Sequence, residues 1–199
     1  MLYGVLHDRE ATYDDLLEVP EHLVGEIVDG ELFTSPRPAS PHAYATGVLF
    51  SQLTQKFQRE NAGGPGGWWF LMEPELHLGR DVFVPDIAGW RKQRMPFIPN
   101  VPAFTLAPDW VCETVSPKTA SLDRYRKLPR YARYDIGHAW LIDPIGRGVE
   151  VYRLESEHWS LISTHEDSVV RAEPFDGAQI DLAEMWLPVP PAAPSSPQS

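Results

Sequence analysis

Between Asp109 and Lys127 the chain reads DWVCETVSPKTASLDRYRK: a short apolar run, an acid at Glu113, a Ser-Pro-Lys-Thr turn, then a segment dense in Arg and Lys. The apolar run has the composition of a buried strand. A carboxylate on such a strand is costly unless a partner meets it, and no neighbour in sequence supplies one. A second acid of the same kind, Asp86, follows an apolar run in VFVPDIAGW. Two acids on two apolar strands, followed by a basic helix, set the frame for the rest of the chain.

Period-two alternation puts Val82, Val84 and Asp86 on one strand face, and Val111, Glu113 and Val115 on one face of the other. If the strands are neighbours, the two carboxylates converge and suit a hard divalent cation, which takes oxygen ligands. The alternative is that each acid ends its strand by pairing with an Arg or capping a turn. Asp123 and Lys127 stand four apart and share a helix side. Read alone, they are an exposed pair worth a few tenths of a kcal/mol. Beside a metal site, the same lysine would orient a water or stabilise charge on a phosphate.

The other elements follow from local signals. Thr12 caps a short helix to about Glu18, with Asp14 and Asp15 in its first turn and Pro20 closing it. EIVDGELF carries Asp29-Gly30 between two alternating runs, a tight-hairpin signature, with Glu26 on the first arm. Ser40 and Pro41 read as N-cap and first position of a helix to about Glu60, with a stripe of Tyr44, Val48, Leu49, Leu53 and Phe57. His42 falls in its first turn, and NAGGPGG after it is a loop. Strands are expected over Trp68–Leu78, Val82–Trp90 and Trp110–Val115, with a proline-rich connection before the last. A helical pattern over Ser121–Tyr134 contains Pro129, which should kink or restart it. HAWLIDP and a hairpin turning at Glu155 to His158 complete an α/β or α+β domain on a mixed sheet. The tail PVPPAAPSSPQS, residues 188–199, has a disordered composition.

Charge and composition exclude several classes. A formal net charge of −11 argues against non-specific binding of nucleic acid over a wide surface. Yet from Lys118 to Tyr134 six basic residues face one acid, Asp123, so a local basic face is available. No apolar run is long enough to span a membrane and no secretory signal opens the chain. With Cys112 the sole cysteine, no disulfide can form within the chain, and the protein is read as cytoplasmic. The scattered histidines lack zinc-site spacing, and Ser116 and Ser121 lack the setting of a hydrolase nucleophile. Cys112 alternates to the face opposite Glu113 and reads as core, as do Trp68, Trp69 and Trp90.

Taken in order, EIVDGEL, SPH at a helix start, VPDI, CETVSPKT, D-x3-K, YARYDI and HAWLIDP resemble the Uma-type putative restriction endonuclease family, within the PD-(D/E)XK nuclease superfamily. The resemblance runs from about Thr12 to Leu161. It implies a restriction-endonuclease-like mixed β-sheet flanked by helices, with an N-terminal β-hairpin, in a single domain over residues 1–187. Asp86 would be the Asp of the PD motif and Glu113 the acid of the (D/E)XK motif. Val115 stands where the superfamily carries lysine, and the resemblance assigns that role to Lys127 from the next helix. Glu26 matches an early glutamate of the family and would be a further catalytic, metal-site acid; His42 matches a recurrent histidine and is a candidate substrate contact. The implied activity is a Mg²⁺-dependent DNA endonuclease, with Mn²⁺ as substitute. The ion would lie between Asp86, Glu113 and the Thr114 backbone carbonyl. Ser116, Lys118, Arg124 and Arg126 are candidate substrate contacts, and a homodimer would supply two sites for a duplex. A nuclease-fold protein without activity, serving as a nucleic-acid-binding or assembly module, is the rival reading. Convergence of Asp86, Glu113 and Lys127 discriminates the two.

Overall fold

A computed structural model describes residues 9–59 and 64–188. The first helix, α1 (Tyr13–Leu17), starts as expected: the Asp15 carboxylate accepts from the Thr12 amide at 2.7 Å and from its hydroxyl at 2.8 Å. The hairpin β1 (Leu23–Val28) and β2 (Glu31–Pro36) turns at Asp29 and Gly30. Both turn residues take positive φ, 56° and 80°, as a primed turn requires.

Helix α2 spans Ser40–Leu53, one residue earlier than expected, and continues as a π-helical turn over Thr54–Gln58. Glu60, the expected helix end, and residues 61–63 of the following loop lie outside the described residues. Leu49, Leu53 and Phe57 are buried along one helix side together with Ala45, whereas Tyr44, expected in that stripe, is exposed.

Two of the expected strands are each broken in two. Trp68–Leu78 divides into β3 (Trp68–Met72) and β4 (Leu76–Leu78), and Val82–Trp90 into β5 (Asp81–Phe83) and β6 (Ile87–Arg91). The physical reason is the same in both places. Pro74 and Pro85 have no amide to give a ladder, and Glu73 before the first adopts φ 45°. The pieces join different sheets. A four-stranded antiparallel sheet has the order β2-β1-β5-β4. A six-stranded sheet runs β10-β9-β8-β7-β6-β3, built with β7 (Trp110–Thr114), β8 (His138–Asp143), β9 (Gly148–Glu155) and β10 (His158–His165). Only β7 and β8 pair in parallel, so the sheet is mixed. A two-stranded pair, β11 (Val169–Val170) and β12 (Ile180–Asp181), was not foreseen.

The segment expected over Ser121–Tyr134 is one continuous helical rod in three pieces: α3 (Ala120–Leu122), a π-helical turn over Asp123–Lys127, and α4 (Leu128–Arg133). Pro129 sits in the first turn of α4, where its missing amide is tolerated after the wide turn.

All five residues of β7 are buried, because both faces of the large sheet are covered. On one face Trp110 and Cys112 pack with Leu49, Leu53 and Phe57 of α2 and its continuation. On the other, Val111 and Val115 pack with Leu128 and Tyr131 of α4. Cys112, Trp68 and Trp90 are core residues, and Trp69 is packed against the core. Among the described residues no helix is long and apolar enough to cross a membrane. Residues 189–199 of the proline-rich tail lie outside the described residues.

Candidate active site

The break between β5 and β6 places the first acid. Asp86 immediately precedes Ile87, which pairs with Cys112 in the antiparallel β6–β7 ladder. Continuing that register sets Asp86 opposite Glu113. Asp86 therefore sits beside β7 where the chain crosses between two sheets, and not on the face of one unbroken strand. Its carboxylate is fixed from two sides: His42 Nε2 lies 2.7 Å from Oδ1, and the Thr114 amide donates to Oδ2 at 2.7 Å. His42 is held there by the first turn of α2, and Thr46 one turn on meets the Thr114 hydroxyl at 2.8 Å.

Glu113 points to the opposite face of β7, toward the helical rod. Lys127 Nζ lies 2.8 Å from Glu113 Oε1 and 2.8 Å from Glu26 Oε1, and 3.9 Å from Asp123 Oδ1. Tyr131 donates its hydroxyl to the same Glu113 oxygen at 2.5 Å. Glu26 in turn accepts the Val84 amide at 2.8 Å, the amide that the break before Pro85 leaves without a strand partner. Asp123 and Lys127 are thus buried, not the exposed helix pair that their spacing alone suggests. Lys127 enters this cluster from the π-helical turn, and Val115 is a core residue.

Three acids around one ammonium in a buried setting cannot all ionise cheaply. Burial pushes Glu113 well above the usual carboxylate range, against the opposing pull of Lys127. Burial likewise raises Asp123 to about 7, with Lys127 opposing and Glu26 adding to the rise. Burial alone would lower Lys127, but Glu113 and Glu26 outweigh it and hold the lysine well above its ordinary value, so it stays protonated.

Asp86, Glu113, Glu26, Lys127 and His42 all line one cavity of about 480 Å³. Thr114, Ser116 and Lys118 line it too, with Lys118 exposed at the mouth. Arg124 and Arg126, expected near substrate, do not line it. Arg124 forms a two-pronged pair with Glu150 of β9, and Arg126 meets Glu31 of β2 at 2.7 Å. Tyr131 and Thr46 were missed by the sequence reading. Tyr131 had a signal, since it stands four residues after Lys127 on the same rod. Thr46 had none.

Among the described residues, no three His, Cys, Asp or Glu side chains form a preformed metal cage. The donors present suit a different kind of ion. Mg²⁺ is characteristically held by one or two carboxylates and keeps several waters. Two carboxylates lining one cavity fit that demand, and both recorded side-chain partners of Glu113 meet Oε1.

The family model whose description is "Uma2: Putative restriction endonuclease" matches residues 11–183. The chain belongs to this family. A solved structure described as a putative nuclease belonging to DUF820, from Anabaena variabilis ATCC 29413, superposes with a TM-score of 0.67 at 23% identity. The match covers 88% of this chain and 97% of that one, and shows that the two share a fold. No curated protein matches the chain. The Uma2 match spans both acids, the hairpin and the lysine, so the expected fold of mixed sheet flanked by helices holds.

Proposed function

We propose that the protein is a metal-dependent nuclease that hydrolyses phosphodiester bonds of DNA, with Asp86, Glu113 and Lys127 as its central groups. The observation that supports this most is that all three line one cavity, with Lys127 Nζ 2.8 Å from Glu113 Oε1. Asp86 and Glu113, with the Thr114 backbone carbonyl, would hold Mg²⁺, or Mn²⁺ in its place. When bound, the ion would supply Lewis-acid polarisation of the phosphate and a more acidic water.

The chain's own groups do the remaining work. Lys127 has three N–H donors; two are directed at Glu26 and Glu113, which anchor the ammonium. The third is available to a phosphoryl oxygen or to the attacking water. Because the lysine stays protonated, its role is charge stabilisation and not proton abstraction. Tyr131 and Lys127 occupy Glu113 Oε1 and orient the carboxylate. His42 and the Thr114 amide do the same for Asp86. Lys118 at the mouth would meet a neighbouring phosphate. A homodimer and a cytoplasmic location are parts of the same proposal, and a mass measurement in solution checks the first.

The test is cleavage of plasmid and single-stranded DNA with Mg²⁺ or Mn²⁺. Asp86→Ala and Lys127→Ala should each remove activity, by roughly 100-fold or more. Undiminished cleavage by Asp86→Ala would sink the site assignment.

A further inference from the structure

Resting on that nuclease reading, we infer that the site takes an unpaired strand: a single-stranded end or flap, enclosed about one nucleotide at a time, and not a continuous duplex. Three observations carry this. The first is depth. The Glu113 and Lys127 side chains are 5% and 3% exposed, so a scissile phosphate must enter the protein to reach them. The cavity, about 480 Å³, lies in the size range that encloses a small organic ligand.

The second is the character of the walls. Pro36 ends β2, Pro38 follows in the connection, and Pro117 comes from the turn after β7; Val24, Val84 and Leu122 fill in between. An apolar wall above a charged floor suits a base or sugar packed on the side, with the phosphodiester below. A paired base offers no such face, since its edges are occupied and its faces stacked. Freeing a nucleotide from a duplex costs a few stacking and pairing contacts, and an end or flap avoids that cost.

The third is the outer charge. Duplex binding rests on rows of cations along the phosphates and buries a wide surface. Here the net charge is −11, and four of the six cations in the basic stretch that sequence alone offers are taken up in ion pairs within the chain. Arg124, Arg126, Lys127 and Arg130 all pair with acids. At the mouth stand Lys118 and Arg37, the latter 3.7 Å from Glu73. Two cations at a mouth can guide one strand, but they do not make a duplex track.

The experiment compares one labelled sequence as a single strand, as a blunt duplex, and as a duplex with a single-stranded flap, in Mg²⁺. The single strand and flap should be cut faster than the blunt duplex by roughly tenfold or more, with scission inside the unpaired segment. Fluorescence anisotropy in EDTA should show the single strand binding tighter than the duplex. Equal cutting within the blunt duplex overturns the inference and leaves the nuclease reading standing. No cutting of any substrate, with Mg²⁺ or Mn²⁺, overturns both.

Discussion

Two buried charge clusters lie three residues apart on the helical rod, and they are built on opposite principles. Around Arg130 the charges are matched, since Arg80 also pairs with Asp29 and two cations face two acids. The Arg130 guanidinium meets Asp81 at 2.6 Å and 2.8 Å and Asp29 at 3.0 Å, while Tyr134 and the Asp29 amide each donate to Asp81 at 2.7 Å. Asp81 is left with no exposed side-chain surface. Around Lys127 three acids share one ammonium, and the group opens onto the cavity. Both clusters tie the rod to the small sheet. Only the second leaves acids unmatched, and unmatched carboxyls in a cavity are what a metal cation can use. A saturated network holds a fold together; a deficient one is available for chemistry.

Removing the cation from each cluster should therefore give unequal losses. Arg130→Met strands Asp81 in the interior with only neutral donors, which costs roughly 3–5 kcal/mol. Lys127→Met leaves Glu113 and Asp123, which burial already pushes toward the neutral form, so protonation relieves them. Its loss in urea unfolding at pH 6 should be less than half that of Arg130→Met, and should grow as pH rises and protons become scarcer. Equal and pH-independent losses would erase the distinction between the clusters.

Asp123 sharpens it further. Its ordinary value is 3.8, and burial raises it to about 7 in the folded protein. Between those values the folded state binds more protons than the unfolded chain, so the group's contribution to stability falls as pH rises through that window. Asp123→Asn should flatten the decline, by on the order of 2 kcal/mol between pH 5 and 8. No comparable slope is expected from the Arg130 cluster. Parallel stability curves for Asp123→Asn and wild type would show that the Lys127 cluster carries no such proton.

These contrasts also explain what could be read in advance. The β7 strand and the hairpin follow from an apolar run and Asp-Gly, which act locally, whereas the pairing of β6 with β7 entered only as a condition. The division of two strands between two sheets does not follow from alternation. It depends on Pro74 and Pro85 breaking ladders whose partners are remote in sequence, such as Ile27, which pairs with Val82. The burial of Asp123 and Lys127 was equally hidden. An i, i+4 pair looks the same inside or outside until Glu26, about a hundred residues earlier, is folded against it. Tyr44 failed for a related reason. A stripe read at helical spacing locates a face only to within one residue, and the buried side runs through Ala45 and Leu49.

The smallest effect belongs to Arg126, and it bears on where substrate runs. Its pair with Glu31 sits at the surface, the two side chains being 39% and 51% exposed. A pair so solvated is screened and contributes about 0–1 kcal/mol. Arg126 is adjacent in sequence to Lys127, yet it projects over Phe33 of the hairpin and away from the cavity. Arg126→Ala should therefore leave both unfolding and cleavage nearly unchanged, whereas Lys118→Ala at the mouth should weaken substrate binding with little change in the maximal rate. If Arg126→Ala weakened binding as much as Lys118→Ala, the nucleic acid would have to cross the outer face of the hairpin as well. A single cavity mouth would then be too small a description of the contact.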